Sequence, residues 1–153
     1  MYLLALIPLY IITYFVWIVW IQVFFWSKIR IHSNIFDIIL IVWAYILSLF
    51  IVALIPEAEF ANRFQHAISG WLLVTLIWYL ASLRSWVKIS AFQLFHVLLS
   101  VALTLGIINE LAESILQTKF WLLFAPNIQD TWYDLWANTF WAVLGAGLFS
   151  YLA

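Results

Sequence analysis

The sequence predicts an all-α integral membrane protein, a single bundle of about five transmembrane helices over residues 1–153, and two observations carry that prediction. The first is composition. Of 153 residues, 68% are hydrophobic and 8% are charged, whereas a soluble domain carries about 25% charged and 45–50% apolar residues. A domain this small keeps much of its surface exposed, so in water a large apolar area would stay wet. The mean hydropathy of +1.10 expresses the same imbalance. The second observation is run length. Several apolar runs approach the ~20 residues that an α-helix needs to cross hydrocarbon, and none shows the strict alternation of a barrel strand. Backbone in lipid must satisfy its own hydrogen bonds, which makes these runs helical.

The elements follow in order. The first helix is expected from about Tyr2 to Trp26, ended by the polar stretch SKIRIHSN. It would be roughly 37 Å long at the helical rise, so it must tilt or distort near Pro8. It has neither a basic leader nor a small-residue cleavage pattern, and it reads as a retained helix. The second helix spans about Ile35–Ile55 and stops at Pro56, followed by the polar connector PEAEFANR. The third covers about Phe64–Leu83 and closes on the tight turn RSWVK. The fourth runs from about Ile89 to Ile115 or beyond. TKFWLLFAPNIQ reads as an apolar loop lying in the membrane interface, and the fifth helix begins near Asp130–Thr131 and runs to the C-terminus.

Charge sets the orientation. Lys28, Arg30, Arg84 and Lys88 fall in two loops on the same side, and they are four of the six basic residues. The positive-inside rule places that side in the cytoplasm and the N-terminus outside, in a plasma or inner membrane. A formal net charge of −1 gives no footprint for nucleic acid. The absence of cysteine excludes disulfides, thiol nucleophiles and thiolate-held metals. Most of the eleven tryptophans, among them Trp17, Trp20, Trp26, Trp71, Trp78, Trp86, Trp121, Trp132 and Trp136, lie toward helix ends or near loops. They suit aromatic belts at headgroup level.

Alternating topology then gathers the scarce polar residues. His66 falls at the start of the third helix, Glu110 and Glu113 near the end of the fourth, and Asp130, Asp134 and Asn138 in the first turns of the fifth. All six are predicted at one level, on the outer edge. Glu110 and Glu113, at i,i+3, share a face; Asp130, Asp134 and Asn138, at i,i+4,i+8, form a stripe. Asp130 has a plainer reading as an N-cap, with Thr131-x-x-Asp134 resembling a capping box. The glutamates resist such a reading, because the C-terminal end of a helix disfavours negative charge and buried carboxylates are costly in a membrane. Two adjacent carboxylates repel unless one is protonated or a cation joins them. His96, Ser100 and Thr104 make a further small polar stripe at i,i+4,i+8 on the fourth helix.

Three short stretches, NRFQHAISG, NELAES and QDTWYDLWANTFWAVLGA, resemble the pattern of YjdF-like and VanZ-like small membrane proteins over about residues 60–147. The pattern is a His before a Gly, a Glu-x-x-Glu, an Asp-Thr-x-x-Asp, then an Asn and a Gly-Ala. The matching positions are His66 and Gly70, Glu110 and Glu113, Asp130, Thr131 and Asp134, Asn138, and Gly145 with Ala146. The acidic residue that usually precedes the His is replaced in the region of Asn62 and Arg63. The resemblance implies a polar site more than a reaction; VanZ-like proteins are associated with glycopeptide resistance at the cell envelope.

Two functions compete. In the first, His66, Glu110, Glu113, Asp130, Asp134 and Asn138 form a binding site. His66, Glu110, Glu113 and Asp134 would be candidate ligands of a divalent metal ion, since oxygen donors with one imidazole suit Mg²⁺, Mn²⁺, Fe²⁺ or Zn²⁺. Alternatively a glutamate there would act as proton donor or acceptor on an envelope or lipid-linked substrate. In the second, the chain is an accessory subunit of a larger photosynthetic or respiratory membrane complex, packed against other subunits and binding lipid, quinone or pigment. Membrane lipids are partners under either reading.

Overall fold

Residues 6–25, 27–120 and 128–153 are described by a computed structural model, with their side chains except at 58, 59, 62, 66, 69, 70, 113, 116, 117, 120 and 128–131. The described chain is all helical: α1 (Leu6–Phe24), α2 (Ile35–Ala53), α3 (Ala58–Gln65), a π-helical run (His66–Leu72), α4 (Leu73–Arg84), α5 (Ala91–Phe120) and α6 (Ile128–Leu152). Among the described residues, three stretches are long and apolar enough to cross a membrane: α1, α2 and Ala91–Ala112 of α5. The chain is a membrane protein.

Local chemistry sets several boundaries. Pro8 lies within α1. Asn34 caps α2, its side chain accepting from Phe36 N at 3.0 Å. That helix ends at Ala53, three residues before Pro56, whose ring disfavours helical backbone in the residue before it. Other boundaries differ from expectation. The connector PEAEFANR folds from Ala58 onward into α3, which runs through the π-helical turn directly into α4. Thr118–Phe120 belong to α5, and Ile128 and Gln129 are already helical in α6; residues 121–127, the rest of the expected interfacial loop, lie outside the described residues. Asp130 therefore stands in the first turn of a helix that has already begun, so neither it nor Thr131 occupies a cap position.

The buried stripes explain how the helices assemble. α2 buries Asp37, Ile41, Tyr45 and Ser48 while exposing Phe36, Leu40, Trp43, Leu47 and Phe50. α6 buries Asp134, Asn138, Ala142, Ala146 and Ser150, and exposes Trp132, Trp136, Phe140 and Leu144. In each helix the inward face is smaller and more polar than the outward one. That is inverted relative to a water-soluble bundle. It is the arrangement expected where lipid is as apolar as leucine, and helices associate through close packing and interhelical hydrogen bonds.

α4 is the central element, packed between the α1–α2 pair and the α5–α6 pair. It buries Leu73, Thr75, Ile77, Trp78, Leu80, Ala81 and Ser82. Tyr14 and Ile18 of α1, Ile41 and Tyr45 of α2, Leu94 and Leu98 of α5, and Phe149 of α6 complete the main core. Trp78 belongs to that core at 1% exposure, its ring 3.8 Å from that of Trp17, and Trp71 is 6% exposed. These rings are interior packing and not belt residues. Trp20, Trp86, Trp132 and Trp136 do face outward.

The π-helical run has its own local support. A π turn widens the backbone ring and disturbs the hydrogen-bond ladder where it rejoins an α-helix. Thr75 sits at that junction, buried, and its hydroxyl lies 3.0 Å from the Trp71 carbonyl and 2.9 Å from that of Leu72. Gly145 of α6 presses on this hydroxyl: a Cβ built at Gly145 would stand 2.5 Å from Thr75 Oγ1. The missing side chain lets α6 approach α4 and places the polar first half of α6 beside the π run.

Candidate functional site

The bundle has a polar cluster near each end, and the two are built differently. At the end where α4 finishes, Asp37 is 4% exposed in the first turn of α2, a position the helix dipole favours for a carboxylate. Arg84, the last residue of α4, grips it with two bonds: Nε to Oδ2 at 2.7 Å and Nη2 to Oδ1 at 3.0 Å. Tyr14 of α1 donates its hydroxyl to Oδ2 at 2.7 Å. One carboxylate thus accepts from two helices while sitting on a third. The planar guanidinium matches both carboxylate oxygens, a geometry that lysine would not reproduce.

Gln22 completes this end. It is fully buried and clamps the backbone of Arg30, donating Nε2 to the carbonyl at 2.8 Å and accepting the Arg30 N–H on Oε1. These two bonds tie the loop after α1 back onto that helix. Trp86, in the turn after α4, adopts φ 60° and sets its ring 5.9 Å from that of His32. Nothing in the sequence pattern singled out Asp37 or Gln22. The one available signal was that each is an isolated polar residue within an apolar run, and the partners, Arg84 and the Arg30 backbone, could be found only from the fold.

The opposite cluster involves the predicted residues. Glu110 of α5 is 8% exposed, and Asp134 and Asn138 of α6 are 5% and 4% exposed. Asn138 Nδ2 donates to Glu110 Oε1 across the helix pair at 3.4 Å. Asp134 lies one turn further toward the start of α6, in the same buried stripe. The Asn138 Oδ1 atom is buried with no hydrogen-bond partner among the described residues. α5 supplies Glu110 through a stripe at intervals of four, Leu94, Leu98, Ala102, Gly106 and Glu110, all turned inward. The wall of this stripe changes from leucine to glycine to carboxylate as it nears the end.

A cation also belongs to this end. Arg63 of α3 sets its guanidinium 4.6 Å from the centre of the Tyr133 ring, one residue before Asp134. The remaining predicted residues take positions consistent with the same end of the bundle: His66 opens the π run, Glu113 follows Glu110 by one turn of α5, and Asp130 lies in the first turn of α6. The side chains of His66, Glu113 and Asp130 lie outside the described residues. Among the described residues, no three His, Cys, Asp or Glu side chains gather into a metal-binding group. His66 and Glu113, two of the four expected ligands, are not part of that set.

His96, Ser100 and Thr104 do not contribute to either cluster. All three are exposed on the outward face of α5; His96 Nδ1 meets the Phe92 carbonyl at 2.8 Å, and Thr104 donates to that of Ser100 at 2.7 Å. Bonding to the preceding turn lets such residues face lipid at reduced cost.

No protein-family model, curated protein or solved structure matches the chain.

Proposed function

We propose that the chain is a polytopic membrane protein of about five transmembrane helices whose function resides in the Glu110 end of the bundle. That end faces outward and the Lys28, Arg30, Arg84 and Lys88 loops face the cytoplasm, as the positive-inside rule requires. Its polar site, built on Glu110, Asp134 and Asn138 with His66, Glu113 and Asp130 at the same level, binds a divalent cation or the polar end of an envelope or lipid-linked substrate. The resemblance to YjdF-like and VanZ-like proteins falls on the same positions.

The observation that carries this reading is the state of Asn138. Its amide nitrogen is engaged by Glu110 while its carbonyl oxygen, equally buried, has no donor among the described residues. A buried polar group without a partner costs about 1–3 kcal/mol. The Glu110 carboxylate bonded to the same amide accepts rather than donates, so the group that would satisfy this oxygen is a donor or a cation. The Asp37–Arg84 cluster, with each carboxylate oxygen engaged, has no such opening.

Titration of Mn²⁺ into the purified protein, followed by loss of the free-ion paramagnetic resonance signal, tests the cation form of this site. Binding at one site is expected in the wild type. Glu110→Gln and Asp134→Asn should each weaken it by about tenfold or more, the loss of at least ~1.4 kcal/mol. Equal titration curves for all three proteins would remove the cation form.

A further inference from the structure

The loop after α1 and the turn after α4 meet at the Asp37 end of the bundle, and two contacts fix them there. Gln22 holds the Arg30 backbone by both its N–H and its carbonyl. The His32 ring stands 5.9 Å from the ring of Trp86. Around these anchors the side chains of Lys28, Ile29, Arg30, Ile31, Trp86 and Lys88 are all exposed.

Charge in this corner is unbalanced. Lys28, Arg30 and Lys88 form no ion pair among the described residues. Asp37, the one acidic residue at this end, is enclosed and already taken up by Arg84. The other six acidic residues follow the far end of α2, stand late in α5 or fall in the first turns of α6. Three cations are therefore left without a counter-charge from the chain.

The same corner is apolar as well as basic. Ile29 and Ile31 alternate with Lys28 and Arg30, and with Trp86 they are among the most exposed large apolar residues. The loop joins α1 and α2, two helices long and apolar enough to cross a membrane. It thus lies where apolar side chains reach the acyl boundary while Lys and Arg reach the headgroups. Trp86 also adopts φ 60°, a conformation that glycine takes freely and a bulky residue rarely. A ring kept in that conformation and yet 68% exposed contributes little to the core.

We propose that this corner binds anionic phospholipid, the phosphate held by Lys28, Arg30 and Lys88 and the upper acyl chains resting on Ile29, Ile31 and Trp86. The guanidinium of Arg30 suits a phosphate group through paired hydrogen bonds. A phosphate free in solution would meet the cations but leave the isoleucines and the indole wet, so the apolar side chains select a lipid. The corner lies at the opposite end from Glu110 and serves this role on either face of the membrane.

Native mass spectrometry of the full chain in neutral detergent tests the assignment, with dimyristoyl phosphatidylglycerol and dimyristoyl phosphatidylcholine supplied in equal amounts. Phosphatidylglycerol adducts should exceed phosphatidylcholine adducts by about tenfold, a preference of ~1.4 kcal/mol. Replacing Lys28, Arg30 and Lys88 together by Gln should abolish that preference. All three are exposed, and Gln22 grips only the backbone of Arg30, so the fold is retained. Lys119→Gln, which removes an exposed cation from the far end of α5, should leave the preference intact. Trp86→Gly should weaken it without lowering the unfolding temperature, whereas a packing residue would lose stability and leave lipid binding unchanged. Equal binding of the two lipids by the wild type would overturn the proposal. So would a preference that survives the triple replacement, or one that Lys119→Gln reduces as strongly.

Discussion

Replacing Arg84 with Met is expected to lower the stability of the protein by about 3–5 kcal/mol, the usual consequence of leaving a buried charge without its partner. Asp37 is almost fully enclosed and relies on two hydrogen bonds from Arg84 and one from Tyr14. Asp37→Ala should cost a similar amount, because it strands the guanidinium and orphans the Tyr14 hydroxyl. Tyr14→Phe removes only one bond to a charged group and should cost about 1.5–3 kcal/mol. The paired replacement Asp37→Leu with Arg84→Met should recover most of the loss, since apolar residues of similar volume substitute for buried ion pairs at little cost. Equilibrium unfolding in mixed detergent micelles measures all four. Single variants within about 1 kcal/mol of wild type would mean that the pair behaves as an exposed salt bridge, and the fastening role would be lost.

The second large effect is expected at Gly145. Its added Cβ would lie 2.5 Å from Thr75 Oγ1, closer than such atoms ever come. The hydroxyl has little freedom to yield, because it sits against the carbonyls of both Trp71 and Leu72. Gly145→Ala should therefore push α6 away from α4 and cost about 1–3 kcal/mol, the range for overpacked cores. The displacement acts on the helix that carries Asp134 and Asn138, so Mn²⁺ binding should weaken together with stability. Thr75→Ala in the same chain removes the obstructing oxygen and should restore much of both, which a double-mutant cycle would register as coupling. Gly147, with open space around it, is the control: Gly147→Ala should leave binding unchanged.

Particular residues show how much of this the sequence carried. The helical class was legible because lipid forces backbone bonds inward and composition alone identified the solvent. Alternation of helices sends Glu110, Asp134 and Asn138 toward one end of the bundle without any knowledge of packing, and Asn138 does meet Glu110. Helix faces were not legible. A soluble helix announces its buried side by its apolar stripe, but α2 is apolar all round, and the side it buries carries Asp37, Tyr45 and Ser48. Trp71 and Trp78 were assigned to the membrane belt for the same reason: position along a helix was known, and direction around it was not. The Asp37–Arg84 pair spans 47 residues, and no local spacing signals it. The π-helical run was hidden because its sequence, HAISGWL, is compatible with an ordinary helix. Only its packing against α6 and the support of Thr75 distinguish it.

The two clusters also differ in how far they are closed. The Asp37 cluster is closed, fastens three helices and has each carboxylate oxygen engaged. The Glu110 cluster buries two carboxylates and an amide, and the Asn138 carbonyl oxygen has no partner among the described residues. The central claim is that this second cluster is a site with an occupant, and not another fastener.

An electron cryomicroscopy map of the protein in nanodiscs of native lipid, at a resolution that shows side chains, tests that claim most directly. The account predicts density outside the polypeptide within hydrogen-bonding reach of Asn138 Oδ1 and Glu110. A map in which protein side chains alone close around those two atoms would contradict it.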